Sequence, residues 1–266
     1  MTTKIKGTTG DDYMVTGNPD DLVMYGLDGN DYVFSNAGND KLYGGAGNDV
    51  MGGDAGNDLV KGGTGDDAMF GGGNDDTLSG GAGNDKMYGD AGHDLINGNT
   101  GDDIIYGYNP DSDPIWAYND NDTITGGKGD DTVYGGRGAD LVYGGIGNDK
   151  LEGGDDADTL KGGQGLDTLT GGSGDDLFVW SKGDVTKTMG VDHLTDWSAG
   201  DVMDMTSLLK TITSDHAARV QLTDSADGQM LSVMLSKGQG FVDVVMLDGQ
   251  HSLTVADLMS SHGLLI

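Results

Sequence analysis

The chain has no cysteine, three prolines, four phenylalanines and three tryptophans among 266 residues. Without cysteine neither a disulfide framework nor a thiolate metal site is possible, so stability has another source. Hydrophobic residues reach only 35%, which argues against a large globular core. Basic residues are scarce: 14 Lys and Arg face 45 Asp and Glu, a formal charge of −31. Binding a phosphate backbone requires clustered Lys and Arg, so no nucleic acid is expected as partner, and cations are the natural one. No stretch is apolar enough for a transmembrane segment. The opening Met1 to Gly10 is polar and glycine-rich and lacks the apolar run of roughly 7–15 residues that a cleavable signal peptide needs.

Catalytic patterns are missing as well. There is no H-E-x-x-H, no G-x-S-x-G and no G-x-x-x-x-G-K-[ST]. The histidines His93, His193, His216, His251 and His262 are scattered singly. Asp192, His193 and Asp196 together are weak grounds for an active site, and the chain is read as not an enzyme.

What is present is glycine, at 51 positions, and a period of nine. Gly44-Gly45-Ala46-Gly47-Asn48-Asp49-Val50-Met51-Gly52 is followed by near copies every nine residues. The sixth-place aspartate recurs at Asp31, Asp40, Asp49, Asp58, Asp67, Asp76, Asp85, Asp94 and Asp103, then at Asp122, Asp131, Asp140, Asp149, Asp158, Asp167 and Asp176. Asp12 and Asp21 extend the array backwards, and two places after each of these aspartates stands an apolar residue, Met14 and Val23 among them. Gly-Gly-x-Gly-x-Asp suits a tight turn, because glycine tolerates positive φ and lets backbone carbonyls converge. The next three residues, around one apolar centre, suit a very short strand. Two units then make one turn of a coil, stacked on the next at roughly 4.8 Å.

In such a coil aspartates 18 residues apart share an edge column, for example Asp40, Asp58, Asp76 and Asp94, or Asp122, Asp140, Asp158 and Asp176. Stacked carboxylates repel. Calcium relieves this, since it takes roughly 6–8 oxygen ligands in flexible geometry and accepts both carboxylates and carbonyls. The stretch between Asp103 and Asp122 counts as a lost slot that interrupts the columns.

The unit matches G-G-x-G-x-D-x-U-x, and on that ground residues 7 to 179 resemble the RTX (repeats-in-toxin) calcium-binding proteins. The resemblance implies an all-β parallel β-roll with multiple Ca2+ ions between successive turns and export by a type I secretion apparatus. It makes the sixth-place residues from Asp31 to Asp176 named above the candidate ligands. The turn glycines Gly45, Gly47, Gly63, Gly65, Gly81, Gly83, Gly127, Gly129, Gly136, Gly138, Gly145 and Gly147 are the candidate carbonyl donors beside them.

Some units depart from the pattern. Pro19 and an extra residue between Asp21 and Asp31 are expected to disturb the first turns. Asp156 replaces the fourth-place glycine before Asp158, and Asn119 to Asp122 lacks glycine altogether. The stretch at about 108–118, with Pro110, Pro114 and Trp116, reads as a loop bulging from one edge or as a recognition loop. Ninth-place Phe70, Tyr88 and Tyr106 are 18 apart and are expected to stack, with Phe34 and Tyr143 further along the same face. Such a ladder either binds sugar rings or shields the sheet.

After Asp176 the period stops. Val220 to Leu222, Met230 to Leu235 and Phe241 to Leu247 read as strands, and Thr254 to Asp257 as the start of a short helix. A solenoid needs a cap over its last turn. Asp192-His193-Leu194-Thr195-Asp196-Trp197 and Asp201 to Leu209 resemble the C-terminal target domain of type I secretion substrates, over about residues 176 to 266. The expected division is a roll over 1–179 and a cap with the secretion signal over 180–266. The function expected is that of a secreted, extracellular calcium-binding protein that folds on Ca2+ outside the cell. It would serve cell-surface adhesion, matrix or biofilm contact, or polysaccharide association. The other classes considered are a membrane-active or host-interaction factor and an accessory module of a carbohydrate-modifying enzyme.

Overall fold

Alternation of one inward apolar residue with polar or small neighbours gives each unit a strand of about six residues that is half buried. Lys41–Ala46, Leu59–Thr64 and Thr77–Ala82 bury Leu42, Val60 and Leu78, while the flanking side chains face outward. The computed structural model describes residues 3–108, 120–181, 183–184, 191–198, 200–205, 207, 220–224, 228–234, 241–248 and 264–265, with side chains up to 207. Successive strands alternate between two sheets of 12 and 13 strands, so each strand pairs with the one two units on. Pairing is parallel in a register of 18 residues, as in Leu42 to Val60 and Val60 to Leu78. The result is a parallel β-solenoid of about nine turns, the β-roll expected.

The core is two facing columns of single side chains. One runs Met24, Leu42, Val60, Leu78, Ile96, Ile124, Val142, Leu160, Phe178 and Met203. The other runs Val33, Met51, Met69, Met87, Ile105, Val133, Leu151, Leu169 and Leu194. Among the described residues only Leu22, Trp180 and Met205 join the buried apolar cluster from outside these columns, which is how a chain so poor in hydrophobic residues still buries a continuous core.

Three expectations need correction. In the first repeats Leu22 and Met24 point inward, not Val23, and Met24 pairs between Ile5 and Leu42. The Leu22 N–H fills the sixth place, donating to Asp40 Oδ1 at 2.7 Å, and Asp21 holds the fifth, accepting from the Asn39 N–H at 2.9 Å. The extra residue therefore precedes Asp21, because only that register buries both Leu22 and Met24.

Second, no slot is lost between Asp103 and Asp122. Leu95–Thr100 pairs directly with Thr123–Lys128, and Ile104–Tyr106 with Thr132–Tyr134. Both sheets cross the insertion unbroken; Trp116 lies outside the described residues.

Third, the coil outlasts its sequence signature. Asp192–Leu194 and Val202–Asp204 add one more strand to each sheet, burying Leu194 and Met203. Phe241–Asp248 then pairs with Asp192–Leu194 and leads an antiparallel meander through Gly228–Met234 to Val220–Asp224. These match the expected strands; Thr254 to Asp257 falls outside the described residues.

Candidate metal sites

The sixth-place aspartates form two continuous columns. The backbone N–H of each donates to Oδ1 of its counterpart one turn later, at 2.8 Å from Asp31 to Asp49 and 2.7 Å from Asp40 to Asp58. The first column runs Asp12, Asp31, Asp49, Asp67, Asp85, Asp103, Asp131, Asp149, Asp167 and Asp192. The second starts at Leu22 and runs Asp40, Asp58, Asp76, Asp94, Asp122, Asp140, Asp158, Asp176 and Asp201. Asp122, in the unit without glycines, keeps its place: it accepts from Asp94 and donates to Asp140, both at 2.8 Å.

Every expected ligand aspartate is buried, with at most 4% of its surface exposed. One carboxylate oxygen of each is committed to the ladder. In fifteen of the sixteen, all but Asp122, the other oxygen, Oδ2, is buried without a hydrogen-bond partner. A buried, unpaired carboxylate oxygen is costly, and a repeated one marks a missing partner.

The glycines shape the space around these oxygens. A β-carbon on first-place Gly44 would fall on Asp49 Oδ2 and on the Gly62 carbonyl of the next turn. On second-place Gly45 it would fall on the Leu27 carbonyl, and on fourth-place Gly47 on the Gly29 carbonyl. First-place glycine is thus required by close approach. The second and fourth places also need left-handed backbone, with φ of 127° at Gly45 and 124° at Gly47. The ten other glycines named as carbonyl donors share this left-handed conformation, with φ from 109° to 148°. Where glycine is absent, Asp54, Asn74, Asp90, Asn99 and Asp156 take φ of 69–81°, and Leu27 and Asn36 take 95°. Asn and Asp tolerate that region best among side chains, so the turn before Asp158 survives its substitution.

Burial is the main force on the carboxyls, and neighbouring carboxylates add to it, while the ladder N–H opposes both. Together they push Asp49, Asp58, Asp85 and Asp131 up to about 6. Asp67, Asp103, Asp149 and Asp158 rise to about 7. Asp76, Asp94, Asp122, Asp140 and Asp167 rise to about 8. These sites need either protons or a cation.

The donor set fits a hard cation. It consists only of oxygens: an unpaired carboxylate oxygen and glycine-turn carbonyls aimed at the adjacent turn. Among the described residues no three His, Cys, Asp or Glu side chains gather as a metal site. One carboxylate per turn along a line means that backbone carbonyls must complete any coordination shell, which suits calcium far better than zinc.

A second ladder was not foreseen. Fifth-place side chains accept the N–H of the fifth residue one turn later, in the opposite sense: Asn30 from Asn48 at 2.8 Å and Asn39 from Asn57 at 2.8 Å. His93 joins it, its Nδ1 accepting from the Asn121 N–H at 2.7 Å. The signal was available, since the fifth place is Asn or Asp in most units.

The aromatic stack forms as expected at Phe70, Tyr88 and Tyr106, with centroids 5.0 and 5.1 Å apart. Its next member is Tyr134, at 4.9 Å, and not Tyr143, which lies on the other sheet between Thr125 and Lys161. The inserted residues shift the numbering by ten, from an 18-residue step to the 28 between Tyr106 and Tyr134. Ring planes lie within 9° of parallel. The faces are therefore spent on one another, and this geometry favours sheet shielding over stacking of sugars.

Fold and site together define a parallel β-solenoid edged by two buried, all-oxygen acidic columns. The RTX calcium-binding nonapeptide repeat family matches residues 25–60, 52–87, 61–96, 88–109, 116–151 and 152–179, more than half of the chain, and the chain belongs to that family. No curated protein matches. Among solved structures, the chain is similar to the AlgE6R3 subunit from the Azotobacter vinelandii mannuronan C5-epimerase, in solution. Identity is 29% over 58% of this chain and 86% of that one, with a TM-score of 0.25.

Proposed function

We propose that this chain is a secreted, non-enzymatic protein whose coil is folded by calcium. The sixth-place aspartates from Asp31 to Asp176 hold the ions through Oδ2, with carbonyls of the first, second and fourth turn places completing each shell. The observation that carries this reading is the row of buried Oδ2 atoms without a partner. Calcium supplies positive charge between stacked carboxylates and accepts oxygens at irregular angles, whereas magnesium demands a near-ideal octahedron and keeps its waters. The chain's own part is to hold the oxygens in line: the ladder N–H fixes each carboxylate, and the glycines leave it room.

Extracellular calcium modules bind at roughly 10⁻⁴–10⁻³ M, so the reading places folding outside the cell after export in the unfolded state. Residues 180–266 would carry the type I export signal, and the folded rod would serve surface, matrix or polysaccharide association. The test is far-UV circular dichroism during calcium and, separately, magnesium titration, with calorimetry to count ions. A cooperative coil-to-β change with calcium near millimolar, and many ions bound, is expected. A chain already folded in chelator, or responding equally to magnesium, would overturn the reading.

A further inference from the structure

The ends of the two columns differ from their middles. At the C-terminal end of the first column, Asp192 Oδ1 accepts the Asp167 N–H at 3.0 Å, as every ladder member does. Its Oδ2, however, accepts the indole N–H of Trp180 at 2.7 Å. Trp180 is 2% exposed, part of the continuous core, and its own backbone N–H donates to the Asp204 carbonyl at 2.9 Å. The last member of the second column shows the same arrangement: Asp201 Oδ2 accepts the Ser198 N–H at 2.6 Å. At the opposite end Asp12 Oδ2 accepts the Thr8 N–H at 2.5 Å. Three terminal carboxylates thus have protein donors on Oδ2, where fifteen interior ones have none.

We propose that these donors close the columns, and that the Trp180 indole stands in place of a cation at Asp192. The consequence is a terminal turn that is held by hydrogen bonds and not by metal. The strands Asp192–Leu194 and Val202–Asp204 then form a calcium-independent end against which the preceding coil stacks. The signal is chemical: an indole N–H is a donor only, and it answers one buried oxygen without bringing a net charge. Asp196 supports the same end, its two oxygens accepting the Gly171 and Gly172 N–H groups at 2.9 and 2.7 Å.

This inference rests on the interior carboxylates being calcium ligands, and the experiment separates the two ideas. Native mass spectrometry of the full chain in saturating calcium counts the ions on wild type, Trp180→Phe, Asp192→Asn and Asp140→Asn. A wild type without bound ions sinks the calcium reading itself. With ions bound, Trp180→Phe is expected to gain one, because Asp192 Oδ2 joins the unpaired set. Asp192→Asn should keep the wild-type count, and Asp140→Asn should lose ions. An unchanged count in Trp180→Phe, or a lowered one in Asp192→Asn, overturns the column closure. If Trp180→Phe does not reach the wild-type β signal, the count on Asp192→Asn decides alone.

Discussion

At the scale of single residues, the same amino acid does different work according to its place in the unit. First-place glycine is needed because Asp Oδ2 occupies the space of its β-carbon; second- and fourth-place glycines because the backbone is left-handed. Gly63→Ala would put a methyl group onto the Gly45 carbonyl at φ 125°. Strained backbone of that kind costs about 1–3 kcal/mol. The expected outcome is a higher calcium midpoint for folding. Gly63→Asn, which follows the precedent of Asn99 at the same place, should shift it less; equal shifts for the two variants would mean that φ is not what selects glycine. Asp76→Asn is a different kind of change. The amide oxygen still accepts from the Asp58 N–H, but the charge on Oδ2 is gone. It should lose bound ions in calorimetry while keeping a β spectrum at saturating calcium.

At the scale of strands and turns, the nine-residue period made most of the architecture legible in the sequence, because each unit carries its own turn, strand and inward side chain. What escaped was register wherever the count changes. Sequence spacing placed Val23 inward, but burial of Leu22 and Met24 together decides the matter. Likewise a gap of 28 residues looked like a break, although Asp94 and Asp122 are ladder neighbours. The added strands Asp192–Leu194 and Val202–Asp204 escaped because their turns lack the glycine pattern, and only the pairing partners reveal them. The fifth-place ladder was hidden by the convention of treating that place as variable. A direct test of sheet continuity follows. Removing residues 109–118 restores an 18-residue step between Asp94 and Asp122, and the shortened chain should fold with the same calcium midpoint and ion count. A marked loss of either would mean that the insertion contributes to the coil and is not simply spliced into it.

At the scale of the whole molecule, charge and pH act through the columns. The unfolded chain has ordinary aspartates near 3.8, whereas in the metal-free fold burial raises those named above to about 6–8. A carboxyl with a raised folded value binds its proton more tightly in the fold than out of it. The metal-free fold is therefore unpenalised below about pH 4, and it loses stability progressively as pH rises from there through 8. With calcium the sign reverses, because protons and ions compete for the same oxygens, so the calcium needed for folding rises as pH falls through 8 to 6. Circular dichroism at low protein concentration, in chelator, should then show more β structure at pH 5 than at pH 8, while calcium midpoints measured at pH 6 and 8 run in the opposite order. A metal-free chain equally unstructured at both values would mean that neutralising the columns is insufficient. Calcium would then be required as a bridge between turns, and not only as a counter-charge to −31.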